Sequence, residues 1–144
     1  MLLTRLLKPS LVAYAHCDLP CGVYDPDQAR VEAESVYKTL EKYHASTDEH
    51  FKARAIQVKE ERAELAKHHI DVLWSDYFKP EHVQKYPEIT DLCWKAAKQC
   101  SKVKQSLDIN EAKTLLDLID KIADVWTKAG GPTATRMAKQ MARA

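Results

Sequence analysis

Apolar side chains recur every three or four residues along most of the chain, which is the spacing of amphipathic helices. The first such stretch starts at Asp25-Pro26, a capping residue followed by a proline suited to the first helical turn, and runs to about His44. The second starts at residues 46–49, Ser-Thr-Asp-Glu, which match a capping box, and ends at the Lys79-Pro80 step. These patterns predict two long helices.

Two more helices are predicted after a connection that contains Pro87. The third covers Ile89 to Leu107. The fourth starts at residues 108–111, Asp-Ile-Asn-Glu, a second capping-box pattern, and is stopped by Gly130-Gly131. Four amphipathic helices with short connections predict an all-α protein, an antiparallel four-helix bundle.

The apolar stripe of each helix predicts which residues form the core. One stripe has a charged member, Arg62, and another contains Cys93 and Cys100, which are expected to be core thiols about 10 Å apart without a mutual disulfide. The remaining inward positions are expected at Ala29, Ala33, Val36, Tyr37, Leu40, Tyr43, Phe51, Ala55, Val58, Leu65, Ala66, Ile70, Leu73, Tyr77, Ile89, Leu92, Ala96, Val103, Leu107, Ala112, Leu115, Ile119, Ile122 and Trp126.

Residues 1–15 have a different composition from the predicted bundle. They hold two basic residues and no acid, and they end in Ala-Tyr-Ala, which resembles a cleavage site, so we interpret them as a removable leader before one domain, residues 16–144. The net charge of +1 becomes −1 without the leader, which gives no reason to expect nucleic-acid or membrane partners. Four cysteines are too few for a disulfide scaffold, so a cytoplasmic location is favoured over export.

The reactive side chains are concentrated directly after the leader, in His16-Cys17-Asp18-Leu19-Pro20-Cys21. The histidines of the predicted helices lack the Glu-x-x-His spacing of di-metal bundles. Cys17 and Cys21, with three residues between them, suit either a disulfide loop or part of a zinc site, although zinc wants four side-chain ligands and three are local. Cleavage after Ala15 adds a free amine at His16. Two nitrogens and two thiolates can then surround one ion in a plane, which suits Ni(II) or Cu(II).

The stretch HCDLPCGVYDPDQARVEAESV, which starts at His16, resembles the mature start of nickel superoxide dismutases. The nickel hook of that family reads H-C-x-x-P-C-G-x-Y, and residues 16–24, hereafter the hook, match every stated position. The resemblance extends through the helical remainder and includes a leader that ends at the same place. It implies one nickel ion per subunit, superoxide as substrate, oxygen and hydrogen peroxide as products, a homohexamer and a protease that removes the leader.

The resemblance also implies roles for individual residues. His16, Cys17 and Cys21 are expected to bind the metal, through the His16 amine and imidazole, the Cys17 backbone nitrogen and both thiolates. Tyr24 is expected over the open face of the metal, with Tyr77 as its partner. Three further residues are expected around the ligands: Glu32 and Arg62 as a bidentate pair that holds the imidazole, and Asp18 in the turn of the hook.

Two alternatives remain open from the residues alone. One is a nickel or copper carrier that uses the same hook without turnover. The other is a helical oligomer with a Cys17–Cys21 disulfide, in which no thiolate is left for a metal. Lys79 is a further candidate, for long-range attraction of an anionic substrate, although the sequence favours an ordinary surface lysine at this position.

Overall fold

A computed structural model describes residues 23–131, so the leader, residues 16–22 of the hook and the last thirteen residues lie outside the described part. The helices of the described range, in chain order, are α1 (Asp27–Ala45), α2 (Glu49–Val72), a π-helical turn (Leu73–Tyr77), α3 (Pro80–Lys85), α4 (Glu88–Gln105) and α5 (Ile109–Lys128). The four long helices pack in the cyclic order α1, α2, α4, α5, each against two neighbours. This confirms the predicted four-helix bundle.

The core of the bundle is made mostly of the predicted stripes. All five inward positions of α5 are buried, and Trp126 among them is fully buried. Four predicted positions are wrong, because Phe51, Val58, Leu65 and Leu107 are 36–39% exposed. In α2 the predicted Ala55, Ala66 and Ile70 are buried, and the same face also carries Lys59 and Ala63, which the prediction missed. Small alanines allow α1 and α4 to approach closely, and a search for large apolar residues misses such a face.

The reciprocal hydrogen bonds of the two predicted capping boxes are not formed at residues 46–49 and 108–111, although Asp108 caps α5 as predicted. Helix α2 starts two residues later than a Ser46 cap would place it, and the carboxylate of Asp48 accepts the His50 backbone N–H at 2.9 Å. Asp108 caps α5 in the same way, through the backbone N–H of Asn110 at 2.9 Å. Each Asp is preceded by a serine two residues earlier whose hydroxyl accepts its backbone N–H. Ser-x-Asp turns therefore replace the expected boxes.

Lys59 joins α2 to the end of α4. Its side chain is 2% exposed, and its Nζ donates to the carbonyls of Val103, Lys104 and Ser106 at 3.0, 2.7 and 2.9 Å. The last carbonyls of a helix have no partner within the helix, so a buried ammonium group is an effective cap for them. His44 Nε2 lies 2.8 Å from the Leu107 carbonyl of the same loop. We call this part of the molecule, the loops 46–48 and 106–108 with Lys59, the polar end.

Helix α2 ends differently from the prediction. The α-helix stops at Val72, and the chain continues as a π-turn in which the Phe78 N–H donates to the Leu73 carbonyl at 3.1 Å. The short helix α3 follows, which the sequence pattern did not predict because six residues are too few for a recognisable period. Among residues 23–131, no helix is long and apolar enough to cross a membrane.

Candidate metal centre

The described structure contains the outer part of the predicted site. Tyr24, Glu32, Arg62 and Tyr77 are described, whereas the predicted ligands and Asp18 lie outside the described residues. Within residues 23–131, no group of three or more His, Cys, Asp or Glu side chains is arranged to hold a metal ion. If this chain binds a metal through side chains of that kind, the ligands have to include residues of the amino-terminal segment.

Glu32 and Arg62 form an ion pair between α1 and α2. Arg62 Nη1 donates to Glu32 Oε2 at 3.2 Å, and the side chains are 42% and 16% exposed, respectively. The structure gives this single hydrogen bond between them, in place of the expected bidentate pair. Glu32 is thus the more buried partner, and its carboxylate has acceptor capacity left for another donor.

Tyr24 and Tyr77 come together at the end of the bundle where α1 begins and α5 finishes. Their ring centroids are 5.9 Å apart with the planes at 59°. Tyr77 also contacts Trp126, at 5.8 Å and 46°. Tyr86 closes this region by donating its hydroxyl to the Lys128 carbonyl at 2.8 Å. We call this cluster of Tyr24, Tyr77, His82, Tyr86 and Trp126 the aromatic end.

The carboxyl terminus of α5 packs tightly in the aromatic end. Gly131 donates its N–H to the Trp126 carbonyl at 3.0 Å, and a β-carbon at this glycine would lie 2.3 Å from Cδ2 of the Trp126 ring. Gly130 has φ +97°, a conformation that favours glycine. The two glycines therefore do more than stop a helix, because they fold the chain directly over the indole that supports Tyr77.

Burial raises the pKa of Tyr77 above the ordinary value of 10.0, so its phenol is neutral at physiological pH and stays neutral further into the alkaline range. A neutral phenol is both a donor and an acceptor of hydrogen bonds, as a residue that orders water or a small anion requires. The π-turn that ends at Tyr77 agrees with a functional role, since π-turns within helices are frequent at functional sites.

His82 is a member of this cluster that sequence reasoning missed. Its ring stacks on Tyr77 with centroids 5.6 Å apart and planes at 18°. It also contacts Phe78 edge to face. In the sequence, His82 lies two residues after Pro80, which is consistent with a helix start but gives no indication that its ring contacts Tyr77.

The two core cysteines are unsuitable as metal ligands. Cys93 and Cys100 are free and buried, and desolvation raises the pKa of each thiol to about 12. The thiolate form that binds metals is therefore disfavoured at both positions, and neither cysteine belongs to a group of metal-binding side chains within residues 23–131. The expectation that both act as core hydrophobes is confirmed. Of the four cysteines, Cys17 and Cys21 are the ones left for a metal.

The donors of the amino-terminal segment fit nickel. One imidazole, two thiolates, a backbone nitrogen and, after cleavage, an amine all lie within six residues. Nitrogen and sulfur donors suit Ni(II) when they surround the ion in a plane. Glu32 on α1 has a carboxylate of the kind that orients a metal-bound imidazole. The donor types and the fold together define a candidate transition-metal centre on a helical bundle.

Comparison with known proteins gives the family. The sequence model of nickel-containing superoxide dismutases matches residues 11–129. The nickel superoxide dismutase of Streptomyces seoulensis is 54% identical over 125 residues, covering 87% of this chain and 95% of the relative, and that of Streptomyces coelicolor is 52% identical over the same shares. The native 1.30 Å structure of a nickel superoxide dismutase matches with a TM-score of 0.78 at 52% identity, over 80% of this chain and 98% of that one.

The chain belongs to the nickel-containing superoxide dismutase family. It is an oxidoreductase with nickel as its cofactor, and the resemblance noted from the hook is confirmed. The dismutase hypothesis is supported over the non-catalytic carrier.

Proposed function

We propose that the chain binds one nickel ion per subunit through His16, Cys17 and Cys21 and converts superoxide to oxygen and hydrogen peroxide. When bound, nickel supplies one-electron chemistry between Ni(III) and Ni(II), so that one superoxide is oxidised and the next is reduced. The reduction consumes two protons. The observation that carries this proposal is the family match, which begins at residue 11 and so includes the entire hook.

Glu32 and Arg62 orient the His16 imidazole in this proposal. A carboxylate that accepts a ring N–H fixes both the tautomer and the angle of the imidazole. Arg62 Nη1, at 3.2 Å from Glu32 Oε2, fixes the carboxylate in turn. The remaining acceptor capacity of Glu32, which lies in the second turn of α1 after the hook, supports this role.

Tyr24 and Tyr77 limit access to the centre and order water or a small anion there. Both are phenols at the aromatic end, and Tyr24 follows Cys21 by three residues. Tyr77 can donate a hydrogen bond to an anion because its phenol stays protonated. Asp18 stabilises the turn of the hook, and Lys79, which is exposed, adds positive charge close to Tyr77 in the chain.

Removal of residues 1–15 is the activating step in this proposal, because it turns the His16 nitrogen from an amide into an amine. A maturation protease is therefore required. The test compares the full chain with the same chain beginning at His16, both supplied with nickel, by measuring superoxide consumption and nickel content. We expect turnover from the shorter chain alone. Equal turnover by the full chain would disprove the requirement for cleavage.

A homo-oligomer, with a hexamer as the specific expectation, is supported by the exposed apolar face of α2. Phe51, Val58 and Leu65 are spaced by seven residues, so they lie on one face of the helix, and each is 38–39% exposed. Light scattering of the nickel-loaded protein tests this. Val58→Lys with Leu65→Lys should lower the measured mass, while Gln57→Lys with Glu61→Lys, at neighbouring exposed positions, should leave it unchanged.

We also propose a cytoplasmic location, since the hook needs reduced thiols and the core cysteines are free. Fractionation of cells that make the full chain tests this. Recovery of the processed chain in the secreted fraction would favour export, with residues 1–15 as the signal.

A further inference from the structure

We propose that His82 is a positioning residue that holds the Tyr77 ring beside Tyr24. This inference deepens the proposed function and rests on the role of Tyr77 in it. Tyr77 is contacted by four aromatic rings, and three of these contacts are tilted or edge to face, at 46–86°. The contact with His82 is the parallel one, at 18°, so His82 covers the face of the phenol ring.

The orientation of the His82 ring is itself determined by the backbone. The Lys79 N–H donates to His82 Nδ1 at 3.1 Å, so Nδ1 is the unprotonated nitrogen of the ring. The backbone N–H groups of His82 and Val83 donate to the Lys79 carbonyl at 2.9 and 3.1 Å. The imidazole is therefore fixed at both its Nδ1 edge and its backbone, and it can serve as a rigid surface for a neighbouring ring.

His82 compensates for a break in the helix directly before it. Tyr77 is the last residue of the π-turn, Phe78 and Lys79 are extended, and Pro80 starts α3 without a backbone N–H to donate. A side chain at such a break has no continuing helix to restrain its rotamer. Stacking against a histidine from the next helix supplies that restraint. Displacements of about 1 Å are enough to weaken a catalytic contact strongly, so the restraint matters for turnover.

Two substitutions separate the stacking of His82 on Tyr77 from the hydrogen bond that His82 Nδ1 accepts from the Lys79 N–H. His82→Asn places an oxygen where Nδ1 was, so it keeps the Lys79 hydrogen bond but removes the ring. His82→Phe keeps a ring face and removes the acceptor. We expect kcat/KM for superoxide to fall by about tenfold in His82→Asn and by about threefold in His82→Phe. His50→Asn, an exposed histidine at the polar end, should change nothing. Wild-type turnover in His82→Asn would overturn the inference.

A double-mutant cycle with Tyr77→Phe distinguishes positioning from a general loss of structure. If His82 acts through the Tyr77 hydroxyl, His82→Asn has less than about a twofold effect in the Tyr77→Phe background. An equal effect in both backgrounds would mean that His82 merely supports α3, and would overturn the inference. Turnover that is unchanged by Tyr77→Phe alone would overturn both the inference and the proposed role of Tyr77, whereas absent turnover in the processed, nickel-loaded wild type would refute the proposed function.

A measurement without nickel gives an independent check. Burial raises the pKa of Tyr77, and the His82 ring is stacked on the phenol ring whose hydroxyl titrates. Ultraviolet titration of the metal-free chain, with Tyr77→Phe subtracted to isolate this phenol, should show a lower pKa in His82→Asn and a raised pKa retained in His82→Phe. An unchanged titration in His82→Asn would contradict the proposed stacking.

Discussion

The two ends of the bundle are closed by opposite means. At the polar end, two Ser-x-Asp turns and the ammonium group of Lys59 satisfy the free backbone groups of α2, α4 and α5. At the aromatic end, rings pack against one another, and the chain passes through a π-turn and a short helix. The polar end follows ordinary capping rules, whereas the aromatic end departs from them where the proposed site lies.

This difference shows how stability and chemistry are divided in the molecule. Capping interactions at the polar end hold helices together and leave few groups for a ligand. The aromatic end brings the phenols of Tyr24 and Tyr77 together, and Tyr24 belongs to the hook that carries the proposed metal ligands. Substitutions at the polar end should therefore change the free energy of unfolding, and those around the proposed site should change turnover.

The largest effect is expected from the cysteines. Cys17→Ser or Cys21→Ser should reduce superoxide turnover to the uncatalysed background, because each removes a proposed thiolate ligand. Cys93→Ala and Cys100→Ala are the matched controls. Both should keep full turnover per bound nickel and lower the free energy of unfolding by about 1 kcal/mol. Nickel content and denaturant unfolding measure the two outcomes, and nickel-dependent turnover in Cys21→Ser would contradict the ligand assignment.

Lys59→Met tests the polar end. It leaves three carbonyl groups without their charged donor, so we expect the free energy of unfolding to fall by about 3 kcal/mol. Turnover per folded, nickel-loaded molecule should not change. Lys52→Met on the same helix removes an ion pair with Glu49 and a contact with the Tyr43 ring, and it should cost less than about 1 kcal/mol. Equal losses in the two variants would show that the Lys59 cap is unimportant.

Arg62→Met tests the outer part of the proposed site. We expect turnover to fall by about 10- to 100-fold, because the carboxylate that orients the imidazole is no longer fixed. Stability should change by less than about 1 kcal/mol, since Arg62 is 42% exposed. Lys104→Met removes a comparable pair between helices, with Glu64 at 2.9 Å, and should leave turnover intact. Similar turnover in Arg62→Met and Lys104→Met would show that the Glu32–Arg62 pair has a structural role and no role in turnover.

The smallest effect concerns acid stability at the polar end. Two side-chain hydrogen bonds hold the pKa of Glu111 below its ordinary value of 4.5. The one from Lys102 has the larger effect and the one from Gln99 the smaller. The stabilising contribution of Glu111 is therefore present above pH 4.5 and is lost as the pH falls through the lowered folded-state pKa. The free energy of unfolding, measured from neutral pH down to below pH 4.5, should depend less on pH in Glu111→Gln than in the wild type. Turnover at neutral pH should be unchanged. An identical pH dependence would exclude Glu111 as a contributor.

Much of the bundle could be predicted because its signals are local. The periodic apolar residues of α1, α4 and α5 located their helices, since burial of one face imposes that period. Helix α2 was recognised, but it starts later and ends earlier than predicted. Its core face was predicted at Ala55, Ala66 and Ile70 and was missed at Lys59 and Ala63. Lys59 looked like a surface residue, because no local signal shows that three carbonyl groups of another helix surround its side chain.

The candidate site could be predicted in part for a different reason. The hook of residues 16–24 is a contiguous motif, so its resemblance was visible in the sequence. Arg62 stood out as a charge in an apolar stripe, and its contact with Glu32 is present in the structure. The stacking of His82 on Tyr77 depends on the path of the chain through the π-turn, which apolar periodicity does not reveal.

The buried thiols of α4 have a consequence for the durability of the enzyme. Peroxide attacks thiolates, and a product of the proposed reaction is hydrogen peroxide. Burial raises the pKa of each core thiol to about 12, so the reactive thiolate form is scarce at neutral pH. The packing that buries Cys93 and Cys100 in α4 therefore also protects the scaffold from the oxidant that the enzyme produces.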